Sequence, residues 1–313
     1  MQQLNYAIKR LLQMIPVLLC VTILVFVMMR LIPGNPAQIM LGEKATPEMV
    51  AAKEVEMGLD KPYIVQYGIF LRDLVTGNLG ESIQYSIPVS DLLGSRMIVT
   101  VSLALMTALF VVLISFPLGY YCGRHKNGIG DNIIRVLSLV ALSMPQFWIG
   151  ILLLLLFGLQ LGWVPISGWG VTFLDHVRCL ILPSITGALG VCTLMIKNLR
   201  GNVANVMGMD FVDFARSKGI SEGRVRSRHI VKNALISTVT LLALRIVNLL
   251  GYTVVIETVF GLPGVGALLV EAIFRRDYAV VQSVVVIFAA LVLIVNLITD
   301  ISYSLLDPRV ELE

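Results

Sequence analysis

The chain has 313 residues, of which 57% are hydrophobic and 14% are charged, and its formal net charge is +4. Soluble proteins carry about 25% charged residues, so this composition excludes an ordinary soluble globular protein. Together with several long apolar runs, it indicates an integral membrane protein.

Six apolar runs are long enough to cross a membrane, since a spanning helix needs about 20 apolar residues. They cover residues 11–32, 98–122, 133–161, 180–198, 234–259 and 280–306. The first is too long for a signal peptide, so we predict an uncleaved transmembrane helix within residues 1–32. The third predicts one tilted helix bent near Pro145, and Pro183 suits the first turn of the fourth. The predicted fold is an all-α integral membrane protein with about six transmembrane helices.

Residues 33–97, between the first two runs, predict a small helical segment outside the bilayer. Thr46 suits the N-cap of a helix that has Pro47 in its first turn. A second helical pattern follows and ends at Gly77.

The distribution of Lys and Arg among the short loops predicts the orientation. The loop at 123–135 carries three such residues and the segment at 197–233 carries eight. Both are therefore placed on the cytoplasmic side, together with the N- and C-termini. Residues 33–97 then form an extracytoplasmic segment.

No catalytic or metal-binding pattern is found in the sequence. The four cysteines form no C-x-x-C pair, the three histidines are far apart, and P-loop, G-x-S-x-G and H-E-x-x-H motifs are absent. We therefore predict that the chain is not an enzyme and holds no metal or cofactor of its own.

The most basic segment of the chain predicts two short helices joined by a glycine turn. Phe211, Phe214 and Ala215 share one helical face, Gly219 can end that helix, and Ser221 can cap the next one. The cations of this segment are Arg216, Lys218, Arg224, Arg226, Arg228 and Lys232. Two interpretations stay open here: a loop that lies beside anionic lipid because of its charge, and a docking element covered by a partner subunit.

A single charged residue lies deep in the fifth apolar run. Arg245 falls on one helical face with Asn248 and Tyr252. Charged groups within a membrane are costly and often functional, so these three residues form a candidate substrate path. Two alternatives stay open for Arg245. It could form a structural ion pair with an acid of a partner chain, or its guanidinium could extend to the membrane–water interface.

The basic segment resembles the E-A-A loop of type I permease subunits of binding-protein-dependent ABC transporters. Asp213, Phe214 and Ala215 fill the E-A-A places and Gly219 fills the glycine place, although Asp213 and Phe214 depart from the general pattern. The match is closer to the A-R-x-K-G-(L/I)-S form of the dipeptide, oligopeptide and nickel branch. Further fragments of that branch occur in the same order, namely RLIPGNPA at 30–37, GNLGESIQYSIPV at 77–89, ETVFGLPGVG at 257–266, RRDYAVVQ at 275–282 and LDPR at 306–309.

This resemblance implies an ABC type-1 transmembrane domain at 95–304, with a coupling loop at 205–233. In that family a short helix of the loop lies in a groove of the cytoplasmic ATPase, and residues 211–228 supply the contact here. The implied ATPase-coupling residues are Phe211, Asp213, Phe214, Ala215, Arg216, Lys218, Gly219 and Ser221. Contact with a solute-binding protein is implied near 257–266.

The implied function is that of a permease subunit of an ATP-driven importer in the bacterial cytoplasmic (inner) membrane. Its partners would be a second permease, two ATPase subunits that bind ATP and magnesium, and an extracytoplasmic solute-binding protein. Its cargo would be peptides, nickel or nickel chelates.

Two other classes of membrane protein are weighed against this function. A stand-alone secondary transporter or channel predicts inverted repeats and more ionisable residues at mid-membrane depth. A membrane-embedded enzyme predicts paired carboxylates or histidine clusters within the spans, and the sequence shows neither pattern.

Overall fold

A computed structural model describes residues 2–31, 34–42 and 45–306, and within them the side chains of 8–299 except 236, 240 and 246–248. These residues are mostly helical and include no named β-strand. The helices are α1 (Gln2–Leu31), α2 (Pro36–Leu41), α3 (Pro47–Glu56), α4 (Tyr63–Thr76), α5 (Val89–Arg124), α6 (Ile129–Ser143), α7 (Gln146–Leu153), α8 (Phe173–Met207), α9 (Asp210–Ser217), α10 (Glu222–Arg224), α11 (Lys232–Val259), α12 (Val265–Arg275) and α13 (Tyr278–Leu306). Helices α7 and α10 continue as π-helical turns at Leu154–Gln160 and Val225–Val231.

The long apolar helices identify the chain as an all-α integral membrane protein. Among the described residues, the segments Ile8–Leu31, Val89–Arg124, Phe173–Met207 and Tyr278–Thr299 are each long and apolar enough to cross a membrane. Two bent helix pairs raise the total to as many as six spans, which is the number that the sequence predicts.

The predicted third span breaks at Pro145, the residue where a bend is predicted, and its two halves form separate helices. Its two halves, Ile129–Ser143 and Gln146–Gln160, meet at an angle of 110°. The break lies at Met144 and Pro145, because proline lacks an amide hydrogen and disfavours helical geometry in the preceding residue. Met144 has extended backbone angles, as this restriction requires.

The fourth predicted span needs correction, whereas the fifth lies within α11 and differs only in being bent. Helix α8 begins at Phe173, not near Leu180, because Thr172 and Asp175 form a reciprocal capping box there. Pro183 consequently lies inside the helix instead of in its first turn. The fifth span is bent by 59° between the segments Glu222–Arg245 and Leu249–Val259.

The described residues divide into two compact units. The first unit contains the residues up to Ile98 together with Gly264–Leu297, and the second contains Val99–Pro263 and the residues from Ile298 onward. Gly264–Leu297, which lies within the predicted 95–304 domain, packs with the N-terminal part of the chain in this division.

In the first unit, the segment between α4 and α5 is fastened to the residues around α12. Ser82 donates a hydrogen bond of 2.6 Å to the carboxylate of Asp277, and Tyr85 donates one of 2.8 Å to Glu271. Burial, followed by this contact with Glu271, raises the pKa of Tyr85. Helices α3 and α4 form as predicted, with Thr46 as N-cap and Gly77 in a left-handed conformation at the end of α4.

In the second unit, α8 is the central helix, and glycines bring α5 close to it. A Cβ atom on Gly119 would lie 2.9 Å from Leu199, and one on Gly123 would lie 2.6 Å from Val203. Both distances are too short for a real side chain, so this G-x-x-x-G pair permits the close approach.

A buried ion pair ties the start of α6 to the C-terminal half of α8. The guanidinium of Arg200 makes two bonds of 2.7 Å to Asp131, whose side chain is fully buried, and the amide of Asn127 donates to the same carboxylate. In the sequence, Arg200 is one of the cations that predict the orientation, and no pattern links it to Asp131. This pairing gives Arg200 a structural role.

Replacing Asp131 with Asn is expected to lower the free energy of unfolding by about 3–5 kcal/mol, because it leaves the Arg200 charge without its counter-ion. The measurement is thermal unfolding of the detergent-solubilised protein. Asp73→Asn is the matched control, since Asp73 pairs with the exposed Arg72 and such pairs contribute about 1 kcal/mol or less. Equal losses in the two variants would contradict a structural role for the buried pair.

Candidate coupling surface and translocation cavity

The predicted glycine turn between α9 and α10 is a Schellman motif. Gly219 has a φ angle of +73°. Its amide bonds to the carbonyl of Arg216 at 2.9 Å, and the amide of Ile220 bonds to the carbonyl of Ala215 at 3.3 Å. These are the two hydrogen bonds that define the motif, so α9 ends at a set residue and in a set direction.

The predicted apolar face of α9 is only partly correct. Val212 and Ala215 are buried and pack with residues of α8 and α11, whereas Phe211 and Phe214 are 39% and 60% exposed. Ala215 therefore belongs to the inward face and not with the two phenylalanines. The coupling surface, defined here as the exposed side of residues 211–221, thus displays two aromatic rings.

The charges of the coupling surface form a local network. Arg216 contacts Asp213 at 3.2 Å and Glu222 at 2.9 Å, and the hydrogen bond that Arg216 donates to Glu222 is the main reason that the pKa of Arg216 is raised. The ammonium group of Lys218 lies 4.6 Å from the ring centre of Phe214. Since these contacts link α9 to the start of α10, they hold the turn and leave the ring of Phe214 exposed.

Ser221 occupies the predicted N-cap position of α10, but its side chain makes no capping hydrogen bond. Helix α10 has three residues before the π-helical turns begin at Val225. The backbone amides of Arg224 and Val225 both donate to the carbonyl of Ser221. The predicted role of the Ser221 hydroxyl as a cap is therefore wrong, whereas its position in the turn is as expected.

Replacing Gly219 with Ala is expected to destabilise the turn by about 1 kcal/mol, because a residue with a Cβ atom is strained in the left-handed conformation. A Cβ atom at Gly219 meets nothing within 4 Å, so size is not the constraint. Hydrogen exchange at the amides of Gly219 and Ile220 should become about fivefold faster. Gly208→Ala is the control, since Gly208 ends α8 with a φ angle of −93° and should tolerate alanine. Unchanged exchange in Gly219→Ala would show that the turn does not depend on the left-handed conformation.

A cavity of about 390 Å³ lies within the second unit, where the break between α6 and α7 faces α8 and α11. Arg245 and Tyr252, both predicted as substrate-path residues, line this cavity. Asn248, the third predicted residue, belongs to α11, but its side chain lies outside the described residues. The structure thus brings two of the three residues to one cavity.

The cavity also contains Gln146, a polar residue outside the predicted substrate path. Gln146 follows the break at Pro145, and a Cβ atom on Gly190 would lie 3.1 Å from its side-chain nitrogen. The small size of Gly190 therefore leaves room for Gln146. In the sequence, the proline of LSMPQFWIG at 142–150 predicts the helix break, but no pattern predicts the cavity beside it.

The electrostatics of the cavity are set by Arg245. Its Nε atom is buried and has no hydrogen-bond partner, and none of the described residues that line the cavity is Asp, Glu, His or Cys. A partly buried cation without a carboxylate beside it favours an anionic or hydrogen-bond-accepting occupant. The lining therefore suits a carboxylate better than it suits a bare metal cation.

The turn at 257–266 begins with a buried acid. Glu257 is fully buried and accepts a hydrogen bond of 2.7 Å from Thr100 within the second unit. The Glu257 side chain is consequently part of the interior, and a contact with another protein near this turn would have to use other residues.

Comparison with known proteins places the chain in a family. Residues 115–312 match the family described as binding-protein-dependent transport system inner membrane component, and residues 3–104 match the N-terminal family of the same transport systems. The chain belongs to this family and is a multi-pass inner-membrane permease of the ABC importer type, not an enzyme.

The relatives extend over almost the whole chain. It is 40% identical over 307 residues to a protein of Brucella abortus (strain 2308) named as a peptide transport system permease, covering 97% of this chain and 98% of the relative. It is 36% identical over 333 residues to the dipeptide transport system permease protein DppB of Alkalihalophilus pseudofirmus, covering 98% and 99%. It is 35% identical over 307 residues to the glutathione transport system permease protein GsiC of Salmonella choleraesuis, again covering 98% and 99%.

A solved structure supports the fold. The crystal structure of an amino acid ABC transporter with histidines superposes with a TM-score of 0.52 and 13% sequence identity, covering 68% of this chain and 94% of that one.

Proposed function

We propose that this chain forms, with a second permease subunit, the translocation path of an ATP-driven peptide importer. The coupling surface would lie in a groove of a cytoplasmic ATPase, and an extracytoplasmic solute-binding protein would deliver the cargo. This arrangement requires both termini and residues 205–233 to be cytoplasmic, as the Lys and Arg counts predict. ATP and magnesium would be bound by the ATPase subunits.

The observation that carries the proposal is the orientation of α9. Its inward face is fixed to the membrane helices by Val212 and Ala215, and its outward face presents Phe211 and Phe214 to solvent. Exposed aromatic rings on a short, rigid helix are suited to a protein interface. A force applied to this surface would be passed directly to α8 and α11.

Peptides are the cargo that the cavity supports better than nickel. A peptide carries a terminal carboxylate that the guanidinium of Arg245 can bind with paired hydrogen bonds. The cavity offers no ligand set typical of nickel among the residues that line it. An anionic nickel chelate could pair with the positive charge of Arg245 in the same way, and it is therefore the second candidate.

The cargo is tested on the solute-binding protein encoded with this permease. Calorimetric titration with di- and tripeptides, glutathione, nickel ions and an anionic nickel chelate should show tight binding of a peptide. Tight binding of nickel or the chelate, without peptide binding, would contradict the peptide assignment while leaving the permease assignment intact.

A further inference from the structure

A second polar cavity lies in the first unit. It consists of two adjoining spaces of about 510 and 340 Å³, which share Arg30, Met57, Leu59, Gln66 and Gln282. These residues come from the last turn of α1, the region of α3 and α4, and the start of α13. We call it the Arg30 cavity.

Neutral groups hold the guanidinium of Arg30 in place. It donates to the side-chain oxygen of Gln66 at 2.6 Å and to the carbonyl of Phe26 at 3.2 Å, and it lies 3.3 Å from the ring centre of Phe26. Gln66 donates in turn to the carbonyls of Leu59 and Lys61, which fixes its amide orientation. The geometry is therefore preorganised, and the positive charge is not neutralised by these contacts.

Two polar atoms at this cavity lack partners. The Nε atom of Arg30 and the hydroxyl of Tyr278 are both buried, and neither has a hydrogen-bond partner among the described residues. Tyr278 is only 8% exposed and lines the smaller space together with Arg30. Buried donors are nearly always satisfied in folded proteins, so both atoms point to an occupant that accepts hydrogen bonds.

The other two lining cations are engaged by carboxylates, since Lys53 pairs with Glu56 and Arg72 pairs with Asp73. Glu54 accepts a bond from the neutral amide of Asn35, and Glu81 also lines the larger space. Arg30 is the one lining cation of the described residues without a carboxylate within ion-pair distance. A second cation is near, since a Cβ atom on Gly34 would lie 3.8 Å from both Tyr278 Oη and Arg276 Nη1.

The position of Arg30 identifies the most suitable source of an anion. Arg30 lies in the last turn of the apolar helix segment Ile8–Leu31, which is the depth of lipid headgroups. At the start of α4, Tyr63 is 70% exposed, and tyrosine is typical of a membrane interface. Phosphate oxygens are good acceptors for a guanidinium and a tyrosine hydroxyl.

We propose that the Arg30 cavity binds an oxyanion, the phosphodiester group of a membrane phospholipid, through Arg30 and Tyr278. The lipid would join α1 to α3, α4 and α13 at the end of the first span. This site is independent of the ATPase contact and of the cargo, because it requires only that α1 crosses the membrane.

The test is lipid retention by the full permease complex. The complex is purified in detergent, delipidated, and titrated with a short-chain phosphatidylglycerol, a short-chain phosphatidylethanolamine or inorganic phosphate while native mass spectra are recorded. One phospholipid should bind. Arg30→Gln should weaken its binding about tenfold to a hundredfold, and Tyr278→Phe should weaken it about tenfold.

Arg72→Gln is the matched control, since Arg72 lines the same cavity but is exposed and already paired, and its affinity should equal that of the wild type. Thermal unfolding of each variant verifies folding, and Arg30→Lys, which keeps the charge, should retain part of the affinity. Phosphate binding that depends on Arg30, without phospholipid binding, would support the oxyanion site and assign it a soluble ligand. Equal affinity in wild type, Arg30→Gln and Tyr278→Phe would overturn the proposal and leave water as the occupant.

Discussion

Replacing Phe214 with Ala is expected to weaken binding of the permease to its ATPase subunits by about 2 kcal/mol, which is roughly a thirtyfold loss of affinity. The Phe214 side chain is 60% exposed in the isolated chain. If it fills a groove on the ATPase, its truncation removes buried apolar area from the centre of the contact. The measurement is the dissociation constant of the ATPase for the permease in nanodiscs.

Phe173→Ala is the control for this prediction. Phe173 is 81% exposed and is the first residue of α8, whereas α9 and Phe214 follow the last residue of that helix. With 35 residues, α8 is roughly 52 Å long. The control should bind the ATPase as the wild type does. Equal affinity of Phe214→Ala and the wild type would remove Phe214 from the interface, and a parallel loss in Phe173→Ala would indicate a general folding defect.

Replacing Arg245 with Gln is expected to lower peptide transport about tenfold to a hundredfold, because it removes a charge-assisted hydrogen bond to the cargo carboxylate. The affinity of the solute-binding protein for the same peptide should not change, since that protein does not contain Arg245. The measurement is the initial rate of ATP-dependent uptake into proteoliposomes.

The peptide itself supplies the control for Arg245. A C-terminal amide lacks the carboxylate, so its transport should be slow in the wild type and insensitive to Arg245→Gln. If the free acid and the amide lose transport by the same factor in the variant, Arg245 does not contact the carboxylate. In that case an ion pair with an acid of the second permease would explain the arginine.

Local sequence signals predicted the helices well where the backbone alone decides the outcome. The N-cap at Thr46, the end of α4 at Gly77 and the turn at Gly219 all follow from hydrogen bonds or backbone angles within a few residues. Composition and run length were sufficient to identify an all-α membrane protein.

Tertiary contacts decided the features that the sequence analysis missed. The exposed Phe214 and the buried Ala215 are adjacent, and only their contacts with α8 and α11 tell which of them faces inward. Nothing in the sequence pairs Asp131 with Arg200, because the two residues are 69 positions apart and meet only through the packing of α6 against α8. The break at Pro145 was visible in the sequence, but its angle of 110° and the cavity beside it depend on the packing of α7 against α8.

The central claim is that this permease transmits the energy of ATP to peptide movement through the coupling surface. The most direct test is dipeptide uptake into proteoliposomes that contain the permease pair, the ATPase subunits and the solute-binding protein. We expect uptake that requires ATP and the ATPase subunits, and that falls strongly when Phe211 and Phe214 are both replaced by Ala. Uptake by the permease without ATPase subunits would contradict the claim and favour a stand-alone transporter or channel.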